Sequence, residues 1–431
     1  MNAAREMLPG DPTESFQTLQ WLLRYPAPEL TGDEKFREAF ELFAEIAKPI
    51  AGDDFSAMIA GVAARPRDVK HLYSAGYDLI EADLPAIAAT VLARADRESP
   101  GREDIISELV SALERDGMNH AARDVLLANP TLLESGFLCR YLLVFNAILS
   151  GRLEIAREHF AVLDPGSNSD FEFMRGTVAA MLARVDALHN AAQLDEKDLR
   201  GWDFVVNASL LLHVAEEGFE EGMRGRFAYT QDSFERCRAA IERLRLALEA
   251  ARFPVETLVF LPDRSSEILG LAAGELLGAD AKPWSEGNMA DAQLVVAYDL
   301  NDLNDEGIYE SLRYYRPGQA LWAHAREWTR DFPIAEDITT YMYQYNAPPW
   351  EGGLSVNDQG EATESAPMSE PPDELAEKIV ALEPEIEDLS GVEELKSFAA
   401  RFGEIQLRSP ERDGGRSRRF LGSPVTSNRF V

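Results

Sequence analysis

The apolar positions of this chain keep a helical period through roughly its first half and then change texture. In the first part they return every three or four residues, as one face of an amphipathic helix requires. Three stretches superimpose at a spacing of 34: residues 75–92 (AGYDLIEADLPAIAATVL), 109–126 (LVSALERDGMNHAARDVL) and 143–160 (LVFNAILSGRLEIAREHF). Asp83, Gly117 and Gly151 share one position, Ala88, Ala122 and Ala156 a second, and Leu92, Leu126 and Phe160 a third. The pattern predicts helix hairpins. The turn residue must leave the helix, which glycine does cheaply. The small alanine lets two helices approach, and the large residue one turn later fills the space beside it. Residues 14–66 and 169–192 read as further helices outside the period. End units of a helical solenoid often depart from the pattern because they cap it.

Near Gly201 the pattern shifts. Residues 202–214 (WDFVVNASLLLHV) are apolar and rich in β-branched side chains, and read equally as a strand pair or a buried helix. A periodic helix follows from Asp232 to about Arg252, with Cys237, Ile241, Leu244 and Leu248 on one face. Buried strands at 256–261, 293–299 and 319–325 then alternate with helices at 267–278 and 304–316. That order predicts a parallel sheet covered on both faces, with ligands at the carboxyl ends of its strands. The aromatic run 328–350 reads as a last strand and cover, or as core packing. Residues 351–373 lack Lys and Arg and read as an acidic linker; a helix pair is expected at 373–389 and 392–403, and the basic end, 414–431, as disordered. The expected organisation is a helical domain at 1–200, an α/β domain at 201–350, a linker at 351–373, and short helices with a tail at 374–431.

Charge narrows the partners. With 42 basic and 75 acidic residues among 431, the formal net charge is −33, which repels nucleic acid and anionic membrane. Apolar runs such as 141–149 fall short of a membrane span. The amino terminus lacks a basic start followed by an apolar stretch, so no secretory signal is expected. Two cysteines, Cys139 and Cys237, cannot build a disulfide framework, which fits a reducing cytoplasm. No G-x-G-x-x-G, Walker loop, G-x-S-x-G, H-E-x-x-H or C-x-x-C occurs, and the six histidines are scattered. Neither a metal nor another cofactor is expected.

The hairpin pattern over residues 70–165 resembles the tetratricopeptide repeat, although the first-helix tryptophan of that family is absent and early Pro130 and Pro165 shorten the second helices. The resemblance implies a groove lined by the first helices, here by Lys70, Tyr73, Tyr77, Glu81, Asp104, Ser107, Ser111, Glu114, Arg115, Tyr141 and Phe145, that holds a protein or peptide partner; Tyr141 and Phe145 read equally as packing against the next domain. Residues 256–278 and 294–302 (LVVAYDLND) resemble the first strand, turn and helix, and then the phosphoribosyl pyrophosphate loop, of type I phosphoribosyltransferases. The turn Asp263-Arg264-Ser265-Ser266 precedes a helix N-terminus with a guanidinium and two hydroxyls, and reads either as an anion site or as ordinary N-capping by Ser265 or Asp263. The resemblance implies ligand-binding roles for these four and for Asp299 and Asp302, with Asp299 expected as a strand-end carboxylate facing solvent. The loop departs from the family pattern. Its acidic pair is Tyr298 and Asp299, and acidic Asp302 stands where a phosphate needs positive potential and free amides. The fold class expected is therefore a tetratricopeptide-like solenoid followed by an α/β domain of phosphoribosyltransferase-like topology. The expected function is a non-catalytic scaffold with a degenerate ligand site and no catalytic residue. The alternative is an enzyme or a nucleotide or sugar-phosphate sensor using the strand-end cleft.

Overall fold

The computed structural model describes the chain except for residues 189–190, 217–221, 286–292, 304, 317, 357–361, 385–389, 409–414 and 428–431. It forms two compact units, Met1–Val178 and Ala179–Val431.

The first unit is helical. Its helices are α1 (Asn2–Met7), α2 (Pro12–Leu23), α3 (Asp33–Ala51), α4 (Asp53–Ala64), α5 (Val69–Glu81), α6 (Pro85–Glu98), α7 (Glu103–Arg115), α8 (Asn119–Leu127), α9 (Pro130–Ser135), α10 (Phe137–Leu149) and α11 (Leu153–Phe160). The three aligned turns share one geometry. Asp83, Gly117 and Gly151 all take positive φ, at 59°, 73° and 71°. In each, the next residue's N–H reaches back to a carbonyl five residues earlier: Leu84 to Leu79 at 2.9 Å, Met118 to Leu113 at 2.8 Å and Arg152 to Ala147 at 2.7 Å. This is the Schellman closure of a helix end. Ala88, Ala122 and Ala156 are fully buried. The approach is close: a Cβ on Gly76 of α5 would lie 2.5 Å from Leu92 Cγ of α6. The core runs from Phe36, Phe40 and Phe43 through Leu79, Leu92 and Leu113 to Leu143. The second helices α8 and α11 are short, at 9 and 8 residues against 14 for α6. Pro130 opens the extra helix α9, which the period did not predict.

Helix α12 (Ser169–Leu188) carries the division between the units. The boundary thus lies earlier than the change of texture at residue 200, because α13 (Leu199–Asn207) is built into the second unit. Trp202 is buried with its indole N–H on Asp195 O, and Arg200 Nε donates to Leu211 O. The ambiguous stretch 202–214 is therefore a helix that turns directly into a strand, β1 (Leu210–Leu211).

The sheet contains β1, β2 (Phe227–Gln231), β3 (Thr257–Phe260), β4 (Asp280–Pro283), β5 (Leu294–Ala297), β6 (Ala320–Glu327) and β7 (Ile338–Ala347), in the order β1-β7-β6-β5-β3-β4. Strand β2 also pairs with β7, so β1 and β2 lie end to end along it, with Leu210 opposite Ile338 and Phe227 opposite Tyr343. Every pairing is parallel. One face buries Val259, Val295, Ala297, Leu321 and Ala323 against Ile308 and Leu312 of α16 (Glu306–Arg313). The other carries α14 (Phe234–Ala250) and α15 (Arg264–Leu277), whose Gly270 passes so close that a Cβ there would meet Phe260 Cβ at 2.4 Å.

Two expectations about the carboxyl-terminal part are corrected. The stretch expected as an unstructured linker contains a hairpin, β8 (Gly353–Val356) with β9 (Ala362–Ser365), followed by α17 (Pro372–Val380) and α18 (Val392–Phe402). The tail is ordered over residues 415–427. Arg416 and Arg419 are buried, paired with Asp337 at 2.9 Å and with Glu336. Those two carboxylates sit fully buried before β7, and guanidinium groups from the tail supply the charge that burial demands. Among the described residues, no helix is long and apolar enough to cross a membrane.

Candidate functional site

Counted from β3, the strands run in the order 2-1-3-4-5, so the direction of winding reverses between β3 and β5. In doubly wound sheets the ligand crevice lies at such a point, outside the carboxyl ends of the two strands. The turns there are 261–266 and 298–303, which hold the residues expected to bind a ligand. The chain's own groups occupy most of them. Asp263 caps α15 by accepting from Ser266 N–H at 2.8 Å. Arg264 donates to the carbonyls of Met368 and Glu370 at 2.8 and 3.0 Å. Ser265 Oγ accepts the Trp350 indole N–H at 2.8 Å, and Ser266 Oγ accepts Tyr298 N–H at 2.8 Å.

Asp299 does not face solvent. It is 2% exposed, accepts Asn301 N–H at 2.8 Å and takes a short hydrogen bond from the Tyr343 hydroxyl. Burial, which penalises the charged form, pushes it up to about 7 against the Tyr343 bond. Asp302 remains exposed at the mouth. Desolvation, then the nearby carboxylates Glu351, Asp263 and Glu327, push it up to about 6. The crevice thus brings Asp263 and Asp302 into one acidic mouth but turns Arg264 toward backbone carbonyls. That mouth has the wrong sign for a phosphate.

Behind the mouth lies a polar centre that sequence reasoning missed. Asp232, at the end of β2, accepts from the Tyr298 hydroxyl at 2.7 Å, from His324 Nε2 at 3.0 Å and from the Cys237 thiol at 3.3 Å. Asn346 Nδ2 donates to the Tyr298 oxygen at 3.3 Å, and the Tyr341 hydroxyl donates to Asn346 Oδ1 at 3.0 Å. All six side chains come from distant strands and one helix. Burial works against the Asp232 carboxylate, but His324, Tyr298 and the Ser233 amide outweigh it and hold the group below the usual range. Burial and then Asp232 push the Cys237 thiol well up, which favours the protonated thiol over the thiolate. Asp232, Cys237 and His324 are the one set of donors, among the described residues, close enough to share a metal ion. A cation there would displace the protons these groups share with Asp232, and the other ring nitrogen of His324, Nδ1, is buried without a hydrogen-bond partner. No local signal announced this centre, because Asp232 and His324 are 92 positions apart.

On the helical unit, the expected groove residues divide. Tyr77 and Arg115 are exposed, and Tyr73 is half-buried. Tyr73 on α5 is pushed up by burial and then by the Glu108 and Asp104 carboxylates of α7, while Arg115 lies 3.8 Å from Glu81. Tyr141 and Phe145 belong instead to an aromatic row on α10, in which Phe137, Tyr141 and Phe145 stack at about 6 Å spacing and Phe171 covers Phe137 at 4.3 Å. Phe145 is only 6% exposed and is core, not groove. No protein-family model matches this chain, no curated protein matches it, and no solved structure matches it.

Proposed function

We propose that the protein is a non-catalytic interaction scaffold: a tetratricopeptide-type helical unit that takes a partner segment on α5 and α7, followed by a phosphoribosyltransferase-like unit whose ligand crevice is given over to packing. One observation carries this reading. Arg264, Ser265, Ser266 and Asp299, the groups a sugar phosphate would need, are engaged by Met368, Glu370, Trp350, Tyr298 and Tyr343 of the same chain. The partner face holds Tyr73 and Tyr77 beside Glu108, with Asp104 and Glu81 already paired to Arg102 and Arg115; Glu108 and the aromatic faces favour a segment carrying Lys or Arg.

Calorimetry on the full chain tests both halves. Magnesium phosphoribosyl pyrophosphate at millimolar concentration should give no binding heat. Saturable binding that is lost in Asp299→Asn would instead establish a working crevice. An Arg-rich peptide should bind, and Tyr77→Ala should weaken it about tenfold, or ~1.4 kcal/mol. Because the net charge of −33 attracts any basic peptide, only the Tyr77 dependence counts for the groove. Equal binding by Tyr77→Ala would remove it.

A further inference from the structure

We propose that the second unit binds a small organic anion, a carboxylate or phosphate ester with an apolar body, in a cavity at the sheet edge between β1 and β2. The sheet itself makes the space. After β1, Leu212 and His213 donate to the Thr339 and Thr340 carbonyls at 2.8 Å each. The chain then leaves the edge and returns as β2 at Phe227. Where it departs, a cavity of about 320 Å³ opens, lined by His213, Phe227, Thr230, Arg236, Arg243 and Tyr341. Ala239 and Ala240 of α14 also line it, and their small side chains leave the volume unfilled. That volume is at the lower end for small-molecule pockets.

The lining has the chemistry of an anion site in a chain that is otherwise strongly acidic. Burial, then the guanidinium groups of Arg243, Arg200 and Arg236, hold His213 down at about 3. The guanidinium groups of Arg243, Arg200 and Arg236 thus lie close enough to bear on this imidazole. Arg243 is buried and Arg236 exposed, so one guanidinium stands inside and the other nearer solvent. Arg200 and Arg243 donate to the carbonyls of Leu211 and Ser390, which helps fix the two side chains in place. Arg236 is steadied over the Phe227 ring, 5.6 Å from its centroid. Thr230 Oγ1 is buried on the cavity wall without a hydrogen-bond partner, although the residue is only 1% exposed. A buried hydroxyl left unpaired is costly, and a ligand oxygen would satisfy it. Glu216 also lines the cavity, but it is exposed, so water and salt screen its charge. Phe227, Tyr341 and the two alanines offer the apolar wall against which a ligand body would pack. The site is separate from the crevice at β3 and β5 and does not depend on the helical groove.

The test follows the His213 ring by NMR in the full chain, assigned by its loss in His213→Gln, while phenyl phosphate, benzoate or inorganic phosphate is added. Bound anion offsets the guanidinium charge, so the apparent pKa of His213 should rise by about one unit or more. The shift should saturate, and phenyl phosphate should bind about tenfold tighter than inorganic phosphate because only it uses the apolar wall. Arg236→Gln changes an exposed side chain and should weaken phenyl phosphate about tenfold. Thr230→Val keeps the shape, removes the hydroxyl, and should weaken it about fivefold. No saturable shift with any probe up to ~10 mM would overturn the proposal. So would equal affinity for phenyl and inorganic phosphate, or unchanged binding in both variants.

Discussion

The repeat turns of the helical unit and the strand-end turns of the α/β unit solve the same problem at different range. Each must satisfy backbone or polar groups where a regular element stops. At Asp83, Gly117 and Gly151 the partners lie within five residues, and a positive φ is enough to reach them. At the ends of β3 and β5, and just before β7, the partners come from far along the chain. Met368 serves Arg264, Trp350 serves Ser265, Asp232 serves Tyr298, and Arg419 serves Glu336. Local closure makes a turn tolerant, because little depends on it. Distant closure makes the turn part of a buried network, where removing one member strands another.

The sharpest test of that difference is Arg419→Ala. It leaves Glu336 fully buried, with Arg326 at 3.6 Å as its remaining cation, and should cost ~3–5 kcal/mol. Five of the six tryptophans lie beyond residue 200, so urea unfolding followed by tryptophan fluorescence reports this unit. Lys48→Ala removes an exposed pair with Asp53 in the helical unit, whose side chains are 67% and 82% exposed, and should change stability by less than ~0.5 kcal/mol. If Arg419→Ala costs no more than Lys48→Ala, the tail does not complete the core.

A smaller effect separates the buried carboxylate from its exposed neighbours. Asp299 holds its proton up to about pH 7 in the folded chain, against the 3.8 of an unperturbed aspartate. Between those values the folded state binds more protons, so this group's contribution to stability falls as pH rises and is fully lost above about 7. Asp299→Asn removes that penalty. The variant should match the parent near pH 4 and exceed it by ~1–4 kcal/mol at pH 8. His213 works in the opposite sense: its folded value of about 3 against 6.5 means that stability is lost as pH falls through that window. His213→Gln should therefore flatten the acid side of the stability profile, and Asp299→Asn the basic side. Identical profiles for parent and Asp299→Asn would mean that the carboxylate is not held neutral.

The same contrast in range explains how much could be read from the sequence. The repeat was legible because its evidence, a turn residue, a small residue and a large one, recurs at a fixed spacing. The parallel sheet was legible in β3, β5 and β6, whose apolar runs sit between helices. Strand β4 was not, because Asp280–Pro283 is a polar edge strand with no apolar run. The turns 261–266 and 298–303 do lie at strand ends, but the burial of Asp299 depends on Tyr343, 44 residues away. The tail looked disordered because its arginines had no visible partner nearby; Asp337 and Glu336 lie about 80 residues earlier. The Asp232 centre and the cavity at β1 and β2 are assembled by topology alone, and no spacing rule reaches them.

The local side of the comparison can be probed at the three equivalent turns. Gly117 and Gly151 have φ of 73° and 71°, a region that costs an L side chain roughly 1–2 kcal/mol. Gly117→Ala and Gly151→Ala should each destabilise the helical unit by ~1 kcal/mol, and by similar amounts. Asp83 already bears this strain at φ 59°, and its side chain is exposed. Asp83→Gly relieves the strain but loosens the unfolded chain, so the net gain should be small, ~0.5 kcal/mol. Hydrogen exchange reads each turn separately, through the amides of Leu84, Met118 and Arg152 that close it. Exchange at Leu84 should slow in Asp83→Gly, while exchange at Met118 and Arg152 should quicken in the alanine variants. If Asp83→Gly instead quickens exchange at Leu84, that aspartate is making an interaction the glycines lack. The three turns would then not be copies of one solution, and the helical period would have to be defended on its buried alanines alone.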